Sequence, residues 1–207
     1  MPGKFVSNRD ETIPLFRSPW LERLSHVHPA TPAVVFLPVA ALFFWLCLND
    51  CSWLLAGSLV LSGILIWTLV EYVMHRWVFH YQPTSTLGQK IHHLTHGIHH
   101  DYPRDSTRLV MPPAVSLPLA LVFWFLFRGL IGARYEGVFA GFLIGYVLYD
   151  TIHYATHHWR MDSRLGRFLK EYHLKHHYQD DDLSYGVSSP LWDYVFGTTA
   201  RAPGREG

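Results

Sequence analysis

Ten of the fifteen histidines in this 207-residue chain fall at spacings that suit metal ligation. His96, His99 and His100 form one H-x-x-H-H run, and His173, His176 and His177 form a second. Residues three and four apart share a helix face, so each run can present several imidazoles in one direction. His153 and His157 stand four apart and do the same. His75 and His80 are five apart, a spacing that fits a helix end that unwinds or a π-bulge, a feature common at functional sites. Ten imidazole nitrogens exceed what one ion takes and suit two.

Imidazole serves zinc, copper, iron and nickel alike, so the ligand type leaves the metal open. A closed structural zinc site usually includes cysteine, and neither Cys47 nor Cys51 lies near these motifs. The zinc-protease signature H-E-x-x-H is missing. So are the Glu-x-x-His pairs of carboxylate-bridged di-iron bundles. A histidine-rich two-metal centre remains, with iron the expected metal and zinc able to replace it on purification.

The elements that position these residues are apolar runs at Ala33–Leu48, Trp53–Val70, Val110–Phe127 and Gly137–Tyr149, the third broken by Pro112, Pro113 and Pro118. A bilayer core of about 30 Å takes roughly 20 helical residues, so each run alone is short. Polar turns too brief for a soluble shell, and Trp and Tyr at the run ends, favour membrane helices over buried ones. Four crossings leave only Arg128 and Arg134, of seventeen basic residues, on the side opposite the termini. The positive-inside rule then predicts cytoplasmic termini and a cytoplasmic histidine cap. The expected fold is all-α: an integral membrane protein with four transmembrane helices and a cytoplasmic helical cap holding a histidine-rich dimetal centre. Residues 1–32 read as a polar lead. Within it Ser18 is expected to cap an amphipathic interfacial helix from Pro19 that carries Trp20, Leu21 and Leu24 on one face. Residues 33–207 form the membrane domain. No secretory signal is expected. Seventeen Lys and Arg balance sixteen Asp and Glu, so nucleic acid is not an expected partner.

The motifs EYVMHRWVFH, HGIHH leading into DYPRDSTRLVMPP, HYATHH, and YHLKHH followed by YGVSSPLWDYVFGT resemble the membrane fatty acid hydroxylase superfamily, in particular the fatty acid 2-hydroxylases. The resemblance covers about Pro14 to Thr198, and the four residues between His75 and His80 match the fatty acid branch better than sterol oxidases or desaturases. It implies that His75, His80, His96, His99, His100, His153, His157, His173, His176 and His177 bind two irons. It further implies dioxygen-dependent 2-hydroxylation of acyl chains of membrane lipids, with sphingolipid or ceramide the expected substrate. Eukaryotic relatives often begin with a haem-binding cytochrome domain. Nothing before Ala33 resembles one, so a separate electron-donor protein (a cytochrome, or a ferredoxin with its reductase) is expected. The competing readings are a sterol, alkane or carotenoid oxidase or desaturase, and a non-redox metal transporter or metal-binding protein. The transporter predicts ligands deep within several helices.

Neighbouring residues carry weaker expectations. His92 and His93 flank the second motif. His158 competes with His157, and helical spacing favours His157. His26 and His28 read as interfacial. Asp150 and, less so, Glu71 are candidates to receive a hydrogen bond from a ligating imidazole. Tyr149, Tyr154 and Tyr172 flank the motifs, Asp180–Asp182 read as a solvated loop, and Asp193 is expected to fix the loop after the last histidines.

Overall fold

The computed structural model describes residues 5–200, and among them every regular element is helical. The chain divides into two compact units. One comprises Pro14–Leu69 and Thr107–Thr151; the other comprises Val70–Ser106, Ile152 onward, and the N-terminal stretch up to Ile13.

Among the described residues, four helices are long and apolar enough to cross a bilayer: α2 (Thr31–Asp50), α3 (Trp53–Val73, continuing to Phe79), α6 (Pro113–Ile131) and α7 (Tyr135–His158). All four are longer than the apolar runs that seed them, α2 and α7 by extension at both ends and α3 and α6 at the C-terminal end. That extension brings them to the roughly 20 residues a bilayer requires. The third differs from expectation at its start. Pro112 occupies the N-cap with extended backbone and the helix begins at Pro113, since a residue preceding proline disfavours helical geometry. Pro118 sits inside α6 and Pro38 inside α2.

Within the first unit α7 is the central element. Some 67% of its most apolar window is buried, against 11–22% for the other three. It meets α3 at backbone distance. A Cβ on Gly141 would lie 2.0 Å from the Val60 carbonyl oxygen, and one on Gly63 would lie 2.0 Å from that of Val138. Small residues permit this approach, and in lipid such packing replaces the missing hydrophobic drive. Trp67 packs on Phe142 and Tyr146 beside the contact, with ring centroids 5.0 and 5.2 Å apart.

The short α1 (Pro19–Ser25) exposes Trp20, Leu21 and Leu24. Ser18 does sit at the N-cap, but its side chain makes no capping hydrogen bond. Glu22 takes a different role: its carboxylate accepts from the backbone amides of Leu15 and Phe16 and pairs with the buried Arg108 guanidinium. Burial penalises that charge, but these two amides, His26 and Arg108 outweigh the penalty and hold Glu22 down at about 2. His26, expected merely to be interfacial, lies 2.9 Å from the Thr107 hydroxyl and joins the same network. The RLV stretch ahead of α6 is thereby tied to α1.

The second unit contains the ends of α3 and α7, then α4 (Thr86–His92), α5 (Ile98–Asp101), α8 (Arg164–Tyr178) and α9 (Leu191–Phe196). Two stretches are π-helical, Met74–Phe79 and His93–Gly97. The first matches the five-residue spacing of His75 and His80, and the His80 amide donates to the His75 carbonyl at 3.2 Å. The second was not foreseen, since its histidines have ordinary α spacing.

Candidate metal centre

All ten predicted ligands lie in the second unit, gathered into two groups of five. His75, His80, His96, His100 and His176 form one; His99, His153, His157, His173 and His177 form the other. Within each group the candidate ligand atoms lie within 4.8 Å of one another. The two H-x-x-H-H motifs exchange a member. His96 and His100 serve the first group while His99 turns to the second, and His173 and His177 serve the second while His176 turns to the first. Successive helical residues point about 100° apart, so adjacent histidines cannot share a centre. The pair at the end of α3 completes the first group and the pair at the end of α7 completes the second. Each group therefore has the same make-up.

The nitrogens face inward, and at His96 and His173 they crowd more contacts onto one nitrogen than a single proton or lone pair serves well. His96 Nε2 lies 3.2 Å from that of His75, 3.1 Å from that of His80 and 2.9 Å from that of His100. One hydrogen on His96 can serve a single neighbour, so the remaining lone pairs would oppose each other. His173 Nε2 likewise meets both His157 at 2.9 Å and His177 at 3.0 Å, and His99 meets His153 at 2.9 Å. A cation between them removes the conflict. Nitrogens bound about 2.1 Å from one ion at right angles lie about 3.0 Å apart, whereas tetrahedral ligands would lie about 3.4 Å apart. The shortest observed contacts are compatible with imidazoles sharing one ion in each group.

Protonation favours the same role. Burial, followed by the proximity of other imidazoles, lowers His96, His99, His173 and His177 well below the ordinary histidine value. A metal ligand must be neutral, and these are held neutral before any metal binds.

One loop supports the first group. The His75 Nδ1 lies 2.5 Å from the Tyr185 carbonyl oxygen, and the His176 Nδ1 lies 2.8 Å from that of Leu183. Such bonds fix the tautomer and turn Nε2 toward the ion. Two buried carboxylates hold the loop. Asp193 accepts from the Tyr185 and Gly186 amides at 2.9 and 2.8 Å and from the Thr198 hydroxyl at 2.8 Å. Glu71 accepts from the Val187 and Ser188 amides at 2.7 and 2.8 Å and from the Ser188 hydroxyl. Ser184, at φ +60°, is kept in its left-handed conformation by bonds from its amide to the Thr198 carbonyl and from the Ala200 amide to its hydroxyl. Asp193 thus fixes the loop as expected. Glu71 is buried and acts on the loop that meets His75. Asp150, the favoured candidate for such support, accepts from the Met111 amide at 3.4 Å, within the other unit. The loop carbonyls had no side-chain signal by which to be found.

The remaining histidines are set apart. His157, not His158, enters the second group, and His158 stacks on Tyr154 with centroids 4.6 Å apart. His92 and His93 belong to neither group and line a cavity of about 240 Å³ that reaches His80, His96 and His100. Asp101 and Asp181 also line it. A second cavity, of about 640 Å³, reaches His157 and is lined by Arg104, Arg160 and Lys170.

Comparison with known proteins gives a consistent picture. The family model described as fatty acid hydroxylase matches residues 60–198. A dihydroceramide fatty acyl 2-hydroxylase of Arabidopsis thaliana is 40% identical over 84% of this chain and 75% of its own length. The ceramide very long chain fatty acid hydroxylase of Saccharomyces cerevisiae is 40% identical over 90% of this chain and 49% of its own. The fatty acid 2-hydroxylase of Mus musculus is 43% identical over 68% of this chain and 39% of its own. The chain therefore spans about half the length of the yeast relative, and less of the mouse one. A solved structure of full-length scs7p, in which only the hydroxylase domain is visible, superposes with a TM-score of 0.83 at 39% identity. The match covers 88% of this chain and 70% of that one.

Proposed function

Because the chain belongs to the fatty acid hydroxylase family, we propose that it hydroxylates the carbon beside the carbonyl in acyl chains of membrane sphingolipids, using dioxygen and two irons. The ten histidines converging as two groups of five, with ligand atoms within 4.8 Å of one another in each, carry this reading. Relatives named as dihydroceramide or ceramide acyl hydroxylases support the substrate class. The reaction consumes one dioxygen, two electrons and two protons. A C–H bond breaks, a C–O bond forms, and the second oxygen atom leaves as water. Bound iron supplies the redox and Lewis-acid chemistry that activates dioxygen.

The chain's own residues set the conditions. Five neutral imidazoles per group carry no charge to offset that of an ion they would hold, so a bound ion would keep its Lewis acidity. The loop carbonyls of Leu183 and Tyr185 orient His176 and His75, with Asp193 and Glu71 as positioning residues behind them. Burial of nine of the ten ligands limits their contact with bulk water, which protects a reactive oxidant from side reactions. Residues 1–32 act as an interfacial lead and 33–207 as the hydroxylase domain. Both termini and the metal centre lie on the cytoplasmic side by the charge rule, where an electron-donor protein supplies the reducing equivalents.

The test is mass spectrometry of lipids from cells expressing the chain, beside His173→Ala/His176→Ala, which removes one ligand from each group. The expected result is a pool of sphingolipids heavier by one oxygen at the carbon beside the carbonyl, absent in the variant. A metal-loaded protein with a supplied reductant that makes no such pool would overturn the substrate assignment.

A further inference from the structure

The two openings onto the metal centre differ in charge. The smaller cavity reaches the first group past Asp101 and Asp181, with His93 Nδ1 3.8 Å from the Asp101 carboxylate. The larger reaches His157 of the second group, and among the described residues its lining holds Arg104, Arg160 and Lys170 but no Asp or Glu. Asp162 pairs with Arg160 at 3.0 Å on an exposed rim. Lys170 reaches across the opening to donate to the Trp159 carbonyl at 2.9 Å. Trp159 and Tyr178 complete the wall, each about half exposed. Along α8 the exposed Arg164 and Arg167 are positive and the exposed Glu171 negative, and the charges of Asp10 and Asp105 act on His158 in the lining.

We propose that this cationic cavity is the docking site of a small electron-carrier protein with an acidic face, delivering electrons to the second group through His157. The inference rests on the hydroxylase reading, which requires two external electrons per turnover, hence two successive one-electron visits by the reduced carrier. Electron-transfer encounters are brief and bury little area, so they depend on charge complementarity for rate and orientation. A patch of cations at the mouth of a cleft steers an acidic partner and is sensitive to salt. His157 lines the cleft and faces His173 Nε2 at 2.9 Å, so its ring spans from the docking surface to the second group. The exposed rings of Trp159 and Tyr178 suit the apolar centre of a protein contact. The cleft, at about 640 Å³, is far larger than a phosphate needs. The acidic opening repels such a carrier and is left for water, protons and dioxygen.

The probe is an acidic plant-type ferredoxin, and the protein is the full chain in lipid nanodiscs with its metals. Ferredoxin binding is measured by interferometry across ionic strength for wild type, Arg104→Glu/Lys170→Glu and the milder Arg104→Gln/Lys170→Gln. The charge reversal is expected to weaken binding about tenfold or more at low salt, with a smaller loss for the glutamine pair. The three should converge at about 1 M salt, where charges are screened within about 3 Å. Hydroxylation driven by reduced ferredoxin falls in the same order. Hydroxylation driven by dithionite and methyl viologen, which need no docking, stays at the wild-type level, as does metal content. Equal ferredoxin binding by all three proteins overturns the proposal. Loss of binding to phosphatidic acid nanodiscs, with ferredoxin binding unchanged, also overturns it and assigns the cavity to a lipid headgroup. Charge-dependent ferredoxin binding without viologen-driven product in the wild type sinks the hydroxylase reading and leaves the docking site standing.

Discussion

Asp193→Asn tests how the loop supports the first histidine group. The side chain is fully buried and uses both oxygens, one for the Tyr185 amide and the Thr198 hydroxyl, the other for the Gly186 amide. Asparagine keeps the size but turns one oxygen into a donor. If the amide group faces Gly186, two donors meet and that bond is lost in a buried position; the other two weaken from charged to neutral. A bond to a charged group contributes about 1.5–3 kcal/mol and an orphaned buried donor costs about 1–3 kcal/mol, so the loop loses on the order of 3–5 kcal/mol of support. His75 then loses a fixed acceptor at the Tyr185 carbonyl, and His176 one at that of Leu183. Removing such a partner typically weakens metal binding about 10–100-fold. The assay is metal per chain by mass spectrometry during a chelator titration. The variant should release one of its two ions about 10–100-fold more readily and hold the second nearly as the wild type does. Two ions released together, or a wild-type titration alongside a lowered melting temperature, would refute the link from Asp193 to the first group.

The group assignment predicts that His176→Ala and His177→Ala, though adjacent, deplete different ions, each leaving about one metal per chain, while the double variant leaves almost none; a double variant that still holds one metal contradicts the assignment. Acid should strip the centre. The buried histidines lie below their ordinary value of 6.5 in the folded chain, so the unfolded chain binds more protons there as the pH falls through 6.5. Metal content and melting temperature should be level above about pH 6.5 and fall as the pH drops below it, and a flat profile down to pH 5 contradicts the buried neutral state. Gly141→Leu places side-chain atoms where the Val60 carbonyl already lies, 2.0 Å from a Cβ. Expression of folded protein should collapse, while Gly57→Leu, with nothing within 4 Å, should be tolerated in a size-exclusion profile.

The ligands and the spans were legible because both rest on periodicity. Histidines three to five apart on helix ends, and apolar runs between polar turns, are patterns that a plain soluble core seldom produces. What was hidden rests on backbone or on angles. The division of His99 from His100 and of His176 from His177 depends on a 100° turn between neighbours and on where the partner helices lie. The carbonyls of Leu183 and Tyr185 have no residue-type signature, so Asp150 was favoured over Glu71. One signal was present and unread: Gly137, Gly141 and Gly145 recur every four residues through α7, marking a face for close helix packing within what read only as an apolar run.

The π-helical turn at Met74–Phe79 also has a consequence for how such a centre can change. A π turn is an α turn carrying one surplus residue, so it behaves as a reversible insertion. Deleting one residue between Trp77 and Phe79 would restore α geometry and carry His80 back by one position. The ring would then start from a different place on the helix surface and meet the group from another side. Length changes elsewhere in a transmembrane helix rotate everything that follows. Here the surplus is absorbed within six residues, and the helix ahead of it keeps its register in the lipid. Ligand geometry can therefore be altered by a single codon without redesigning the span that carries it.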